Sequence, residues 1–358
     1  MRITFLLPHA GLAGGIRVAA IYAQRLKDRG HEVVVVSTPR RPRSWTTRLK
    51  SLLRGRLRAE VARGPSHFDH VDVDHRVIDR YRPMTDADVP DADVVVATWW
   101  ETAEWMMNLS PSKGAKVHFI QHDETHQNQP VERVVKTWSY PTHKIAVAQW
   151  IADLGQTRYG SSPVKVVANG VDTSLFTAPP RGKQRSPTVG MMYSQTPWKG
   201  CDIAIEAFTI ASRNVPGLKL LAFGQHDDTT KLPLPAQTKY AVRPPQKDIP
   251  GIYASCDVWL FASRYEGFGL PILEAMACRT PVLGTPAGAA PELIRQGGGV
   301  LVKPEDPLDL AVAIERISRM PEKEWKPLSD AAFETAQRNT WDRATDLFEQ
   351  ALLEAAGK

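Results

Sequence analysis

Arg264-Tyr265-Glu266-Gly267-Phe268-Gly269-Leu270-Pro271-Ile272-Leu273-Glu274-Ala275-Met276 is the stretch on which the reading of this chain turns. Two carboxylates stand eight positions apart with a glycine-rich turn between them. The apolar run 258–262 ahead of it reads as a buried strand. Pro271 suits the first turn of a helix, where its missing N–H costs nothing. That helix is expected to run through Glu274 to about Cys278. The amides of Phe268, Gly269 and Leu270 at its start form an anion site, and Gly267 and Gly269 let the backbone approach that anion. Glu274 falls in the first turn on this reading, its side chain pointing back toward the same end. A carboxylate there accepts both hydroxyls of a ribose. Glu266, in the turn, reaches the far side of a diphosphate.

These residues resemble the Glu-x7-Glu signature of the retaining GT-B glycosyltransferases of family 4, and the resemblance covers nearly the whole chain. A lone pair of glutamates would be surface residues of any strand–turn–helix. The ordered glycines, the proline and the preceding strand set this stretch apart. The resemblance implies an α/β protein of the GT-B type: two Rossmann-like doubly wound domains face each other across a cleft, and a C-terminal helix crosses back to the first. It also implies transfer of a sugar from a nucleotide diphosphate sugar (UDP-, GDP- or dTDP-linked) to an acceptor hydroxyl, with retention of configuration and no metal or cofactor.

Composition agrees with such a protein. At 358 residues the chain suggests two domains, and 42% hydrophobic with 23% charged residues is ordinary for a soluble fold. Cys201, Cys256 and Cys278 lack metal-ligand spacing and read as reduced packing residues. No apolar run approaches a membrane span, and no signal peptide precedes the first strand, so a cytoplasmic location is expected. A net charge of +6 favours an anionic partner.

Along the chain, a strand at 3–7, a glycine-bearing turn (Gly11, Gly14, Gly15), a helix at 16–29 and a strand at 32–37 open a Rossmann-like unit. Further strands are expected at 71–78, 94–97, 117–121, 144–148 and 164–167. Residues 177–187, rich in Pro, Gly and basic residues, read as a linker. The alternation restarts with strands at 188–193, 218–223, 239–242, 258–262 and 281–284. The expected domains are 1–170 for the acceptor, 171–340 for the donor and 341–358 for an amphipathic returning helix (Trp341, Ala344, Leu347, Phe348, Ala351, Leu352).

The resemblance assigns further roles. Lys199 matches the family's phosphate lysine, a point charge for the diphosphate. The arginine that the family places five or six positions earlier is replaced by Tyr193 and Ser194, which leaves Arg264 or Arg243 to help. Gly14 and Gly15 match the loop that meets the donor phosphates, with Arg17 behind them. His122, after the strand 117–121, matches a histidine beside the reacting sugar, with Asp123 or Glu124 to orient it or meet the acceptor. Catalytic roles thus fall to His122, Glu266 and Lys199, and donor binding to Gly14, Gly15, Lys199, Arg243, Arg264, Glu266, Phe268, Gly269, Leu270 and Glu274. Trp99 and Trp100 beside Glu101 suit stacking on a sugar, or one of them is core. The pairs Asp72/Asp74, Asp86/Asp88 and Asp91/Asp93 read as turn or surface residues, not metal ligands.

Residues 40–58 carry eight arginines and lysines and no acid. Trp45, Leu49, Leu52, Leu53 and Leu57 recur at helical spacing, the pattern of an interfacial helix on an anionic membrane surface. A solvated loop fits equally, so soluble and lipid-linked acceptors both stay open. A nucleotide-sugar epimerase and a non-catalytic nucleotide-sugar-binding protein are the rival readings. A dehydrogenase fits poorly, because residues 11–15 lack Gly-x-Gly-x-x-Gly and Ser37-Thr38 stand where an acid is needed. No nucleic-acid-reading module is present.

Overall fold

Strands in which nearly every residue is apolar need cover on both faces, and the chain supplies it twice. The computed structural model describes residues 1–41, 64–125 and 129–358. They divide into one unit of Met1–Val167 with Thr345–Lys358, and a second of Ala168–Ala344. The first contains a seven-stranded sheet in the order β3-β2-β1-β4-β5-β6-β7. Its strands are β1 (Arg2–Leu7), β2 (Glu32–Ser37), β3 (Asp74–Val77), β4 (Val94–Ala97), β5 (Ala115–Ile120), β6 (His143–Ala146) and β7 (Val164–Val166). The second contains six strands in the order β10-β9-β8-β11-β12-β13: β8 (Thr188–Tyr193), β9 (Lys219–Gly224), β10 (Lys239–Val242), β11 (Val258–Phe261), β12 (Val282–Gly284) and β13 (Gly299–Leu301). All their pairings are parallel.

The helices of the first unit are α1 (Gly14–Asp28), α2 (Trp100–Met107), α3 (Val131–Trp138) and α4 (Gln149–Tyr159). Those of the second are α5 (Cys201–Asn214), α6 (Ile249–Ala254), α7 (Leu270–Ala277), α8 (Ala290–Arg295), α9 (Pro307–Arg319) and α10 (Glu322–Arg338). The last helix, α11 (Trp341–Ala355), starts in the second unit and ends in the first. In each sheet the strand order reverses direction once, between β1 and β4 and between β8 and β11. Ligands of open α/β sheets bind at such switch points, beyond the carboxyl ends of the strands.

The structure departs from the sequence reading in several places. The strand expected at 71–78 shortens to β3, an exposed edge strand whose four residues carry three polar side chains. Helices α3, α6, α8 and α10 were not expected, being short or, for α10, polar and interrupted by Pro327. Residues 177–187 are pinned to the second unit rather than left as a tether. Lys183 Nζ donates to the carbonyls of Ile317, Ser318 and Met320 at the end of α9, and the Gln184 amide donates to Asp257 at 2.7 Å. The boundary between the units lies earlier, at Val167/Ala168. There the two crossings of the chain are laced together. Val171 N–H donates to Asn339 O at 2.9 Å, and a methyl on Gly170 would overlap the backbone of Thr340 and Trp341. The basic segment 40–58 lies outside the described residues beyond Arg41.

The end of α11 completes the first core. Phe348 is fully buried, stacks on Tyr22 at 4.2 Å and meets Phe119 edge-on at 5.0 Å. Outside this core, Glu349 accepts from Arg29 Nη1 at 2.6 Å and lies 2.6 Å from His31 Nε2. Burial pushes its carboxyl up, but the bonds from Arg29 and His31 outweigh burial and hold it below the ordinary glutamate value of 4.5. A depressed carboxylate stabilises the fold above its unfolded pKa, and the contribution fades as pH falls through the folded value. Glu349→Gln is therefore expected to cost about 1 kcal/mol at pH 7. In thermal melts its deficit should shrink below about pH 4.5; a deficit that persists unchanged in acid would remove the ion pair from the account.

In the second unit, the turn before α5 depends on Gly200. Its φ is +61°, and a methyl there would overlap the carbonyl oxygen of Ala262 beyond β11. Gly200→Ala is expected to cost about 2 kcal/mol or more. An unchanged melting temperature would show that the turn relaxes freely.

Candidate functional site

Because β8 and β11 are neighbours, the segments that follow them lie side by side. After β8 comes a 3₁₀ turn, Pro197–Lys199, ended by left-handed Gly200. After β11 comes the carboxylate-bearing loop. The backbone ties the two: Arg264 N–H donates to Trp198 O at 2.8 Å. Lys199 Nζ thereby reaches Glu266 Oε1 at 2.6 Å, and the Ser263 hydroxyl donates to the same oxygen at 2.9 Å. Lys199 is partly exposed, so the ammonium is accessible to a further anion.

Helix α7 starts at Leu270 from left-handed Gly269 (φ +97°), with Pro271 as its second residue. No side chain caps it. Glu274 is the fifth residue and not in the first turn, so it stands one step farther from the helix start than the sequence reading had it. Its residue is only 7% exposed, and Oε2 accepts from the buried Tyr253 hydroxyl at 3.0 Å. A hydroxyl donor at that depth fixes the carboxylate's rotamer and offsets part of its desolvation. The carbonyl of Phe268 accepts from Ala289 N–H at 2.8 Å, so the loop before α8 braces the glycine turn from behind.

Two arginines fail to join this group. The Arg264 guanidinium binds Asp202 bidentately at 2.9 and 2.7 Å, Glu305 at 2.6 and 3.0 Å, and the Pro197 carbonyl. Its two terminal nitrogens each donate to two acceptors, so it serves as a clamp between loops. Arg243 follows β10, two strand positions from β8, in a left-handed conformation (φ +47°). Its exposed guanidinium lies 3.3 Å from Asp227. Tyr193 is buried with its hydroxyl on Leu232 O, and Ser194 Oγ accepts from Thr196 N–H, so neither replaces a cation. Among the described residues, Lys199 is the one cation on Glu266.

In the first unit the corresponding edge carries Gly14, Gly15 and His122. Gln121 Nε2 donates to Gly15 O at 3.2 Å and packs where a Gly15 side chain would be, joining the glycine turn to the end of β5. His122 Nδ1 lies 2.8 Å from the Asp123 carbonyl oxygen. A carbonyl only accepts, so Nδ1 carries a proton. Asp123 Oδ1 is taken by Thr125 N–H and Oγ1 at 3.1 and 2.8 Å. Glu124 turns inward, where Oε2 accepts from Trp100 N–H at 2.7 Å; burial pushes its carboxyl well above the usual range. Trp100 is 2% exposed and belongs to the core, which leaves Trp99 as the half-buried partner of the pair.

The aspartate pairs are each spent locally. Asp72 meets Lys27, Asp74 meets Arg76, Asp88 meets Arg82 and Asp91 meets Lys113, while Asp86 accepts from Ser110 N–H and Asp93 from Arg2 N–H. Sequence reasoning missed Ser263, Tyr253 and Gln121. Ser263 sits one residue past the apolar run, a legible position for a polar edge residue. Tyr253 and Gln121 carried no signal, since their value comes from contacts 21 and 106 positions away.

Comparison with known proteins fits this arrangement. Residues 13–175 match the model described as Glycosyltransferase Family 4, and residues 177–333 the model described as Glycosyl transferases group 1. A D-inositol 3-phosphate glycosyltransferase of Saccharomonospora viridis is 31% identical over 217 residues, 52% of this chain and 50% of that protein. One of the same description from Actinosynnema mirum is 26% identical over 82% of this chain and 74% of its own length. The chain spans about half the length, or less, of most curated relatives it matches. Among solved structures, Anabaena Alr3699/HepE in complex with UDP and glucose superposes with a TM-score of 0.73 at 20% identity, covering 99% of this chain and 100% of that one. The two halves thus match, in this order and on the GT-B fold, two glycosyltransferase family models, each over a little less than half of the chain.

Proposed function

We propose that the protein transfers a sugar from a nucleotide diphosphate sugar to an acceptor hydroxyl with retention of configuration, in polysaccharide or glycolipid assembly. One observation carries the reading: Lys199, Glu266 and Ser263 converge beside the uncapped start of α7, whose next turn holds Glu274 buried on Tyr253. In this reading Glu274 accepts the ribose hydroxyls. Lys199 and the amides at Gly269 and Leu270 hold the diphosphate and stabilise it as it departs. Glu266 accepts hydroxyls of the donor sugar while keeping Lys199 in place. His122 hydrogen-bonds a sugar hydroxyl. The phosphate oxygen of the leaving group takes the acceptor proton, so no side-chain nucleophile is required. Lysine and helix amides answer the phosphate charge, and the mechanism calls for no metal.

A thermal-shift screen of nucleoside diphosphates tests donor binding first. Glu274→Gln keeps the size and an acceptor for Tyr253 but loses the charge. It is expected to weaken the stabilising nucleotide by about 1.5–3 kcal/mol for each charge-assisted bond lost. Unchanged affinity with an intact fold would take Glu274 out of the ribose site.

His122→Ala is expected to lower transfer while nucleotide affinity stays within about twofold, a difference under 0.5 kcal/mol. The same assay should retain its rate in a chelator. Normal transfer by the variant would clear His122 of any role, and a chelator-dead enzyme rescued by magnesium would call for a metal.

A further inference from the structure

The first unit carries a second group of polar side chains that the reading above leaves unused. Pairing of β1 with β2 brings the residues after both strands together. Buried Thr38 fixes the junction, its hydroxyl donating to the carbonyl of Pro8 and lying 2.9 Å from that of Pro39. His9 and Arg40 consequently face one small space over Gly11. A methyl group on Gly11 would lie 3.7 Å from His9 Nε2 and 4.0 Å from Arg40 Nη2, with no other side chain nearer. From its far side the guanidinium rests on Gly64, whose own methyl would meet Nη2 at 2.9 Å. Arg40 is thus held between two glycines. His67 closes the rim: its N–H donates to Gly11 O at 3.2 Å.

No carboxylate pairs with His9 or Arg40 among the described residues. Glu101 is the acid whose charge acts on His9, and it already accepts from the Tyr81 hydroxyl at 2.7 Å. Burial first, and Arg40 second, hold the His9 ring below its ordinary value, so near neutral pH it is an uncharged donor beside a fixed cation. A guanidinium Nη2 and an imidazole Nε2 facing one open position over Gly11 suit an oxygen of an oxyanion.

We propose that His9 and Arg40, over Gly11, bind an anionic group of the acceptor, a phosphate ester or a carboxylate. Assigning the anion to the acceptor rests on the transferase reading; the oxyanion site itself does not. The place in the sheet supports the assignment. β1 and β5 are two strand positions apart, about 10 Å, so the anion would lie on the same sheet edge as a hydroxyl at His122. The donor diphosphate already has its own cation and amides in the second unit.

The test is calorimetric titration of glycerol 3-phosphate, with glycerol as control, into the full chain. The chain is first saturated with UDP or GDP, whichever stabilises it, so that the donor site is filled. Wild type is expected to bind glycerol 3-phosphate at one site and not glycerol. Arg40→Gln should weaken that binding about tenfold or more, the loss of one charge-assisted bond. Gly11→Ala should weaken it comparably, because it fills the gap without changing charge, and the added methyl makes only ordinary contacts. Arg213→Gln, an exposed arginine of the second unit, should leave it unchanged. Nucleotide affinity should be equal in all four proteins.

The proposal is overturned if wild type does not bind glycerol 3-phosphate, or if all four proteins bind it alike. It is also overturned if Arg40→Gln and Gly11→Ala lose nucleotide affinity instead, which would give the site to the donor diphosphate. If neither nucleotide binds, the titration is run without one. Phosphate binding that depends on Arg40 and Gly11 would then uphold the oxyanion site while the transferase reading falls.

Discussion

Parallel pairing of β8 with β11 is the constraint from which the second unit's chemistry follows. Two segments about sixty residues apart in sequence must leave the sheet at the same edge, side by side. The gap between them is closed by Gly200 against the Ala262 carbonyl, by the Arg264 amide on Trp198, and by the Arg264 guanidinium on Asp202 and Glu305. Only with that gap closed does the Lys199 ammonium sit on Glu266. The clamp around Arg264 is largely exposed and each of its pairs is individually weak, but a bidentate fork on one carboxylate and further bonds to a second form a network, which holds geometry better than isolated pairs do. The arginine is committed to positioning a loop. That leaves the compact lysine charge, which is oriented by a carboxylate rather than by a second cation.

The sequence disclosed the architecture where physical signals are local. Apolar runs of four to six residues, glycine punctuation and the restart after residue 187 suffice to outline both sheets. The turn-helix around Glu266 and Glu274 was legible because glycines and a proline announce its backbone. What stayed hidden depends on partners remote in sequence. Arg264 reads as an available cation until Asp202 and Glu305 are seen on it. Trp99 and Trp100 read alike until the fold shows that Trp100 is the buried one. Tyr253, which orients Glu274, belongs to a six-residue helix with no amphipathic period long enough to recognise. Residues 177–187 look like a tether by composition, yet their lysine and arginine are anchors: Lys183 ends α9, and Arg181 lies over the Trp325 ring while donating to Thr280 Oγ1 at 2.9 Å.

The first unit distributes its polar groups differently. Its carboxylates turn inward or bind neighbours, as Glu124 does with the Trp100 amide and Glu101 with Tyr81. His122 donates from Nδ1 to the carbonyl of its own chain neighbour, Asp123. Basic side chains follow β1 and β2 without acidic partners among the described residues. Where the second unit builds a site around an ion pair, the first offers hydrogen-bond donors.

The chain passes between its units twice, at Val167/Ala168 and Ala344/Thr345, so the first unit is discontinuous. Phe348 fills a core made by Phe5, Tyr22 and Phe119, and Glu349 reaches His31 across 318 positions. During synthesis the first 167 residues leave the ribosome with a hole where that ring belongs. The whole second unit must be made before the plug arrives. Residue-by-residue emergence at about 5–20 residues per second leaves that apolar cavity open for roughly ten seconds or more. The second unit, by contrast, is contiguous. Its lacing of residues 170–171 to 339–341 then delivers α11 to the waiting core, turning a long-range search into a local docking step. The core around Phe348 thus cannot close until the second unit has been made.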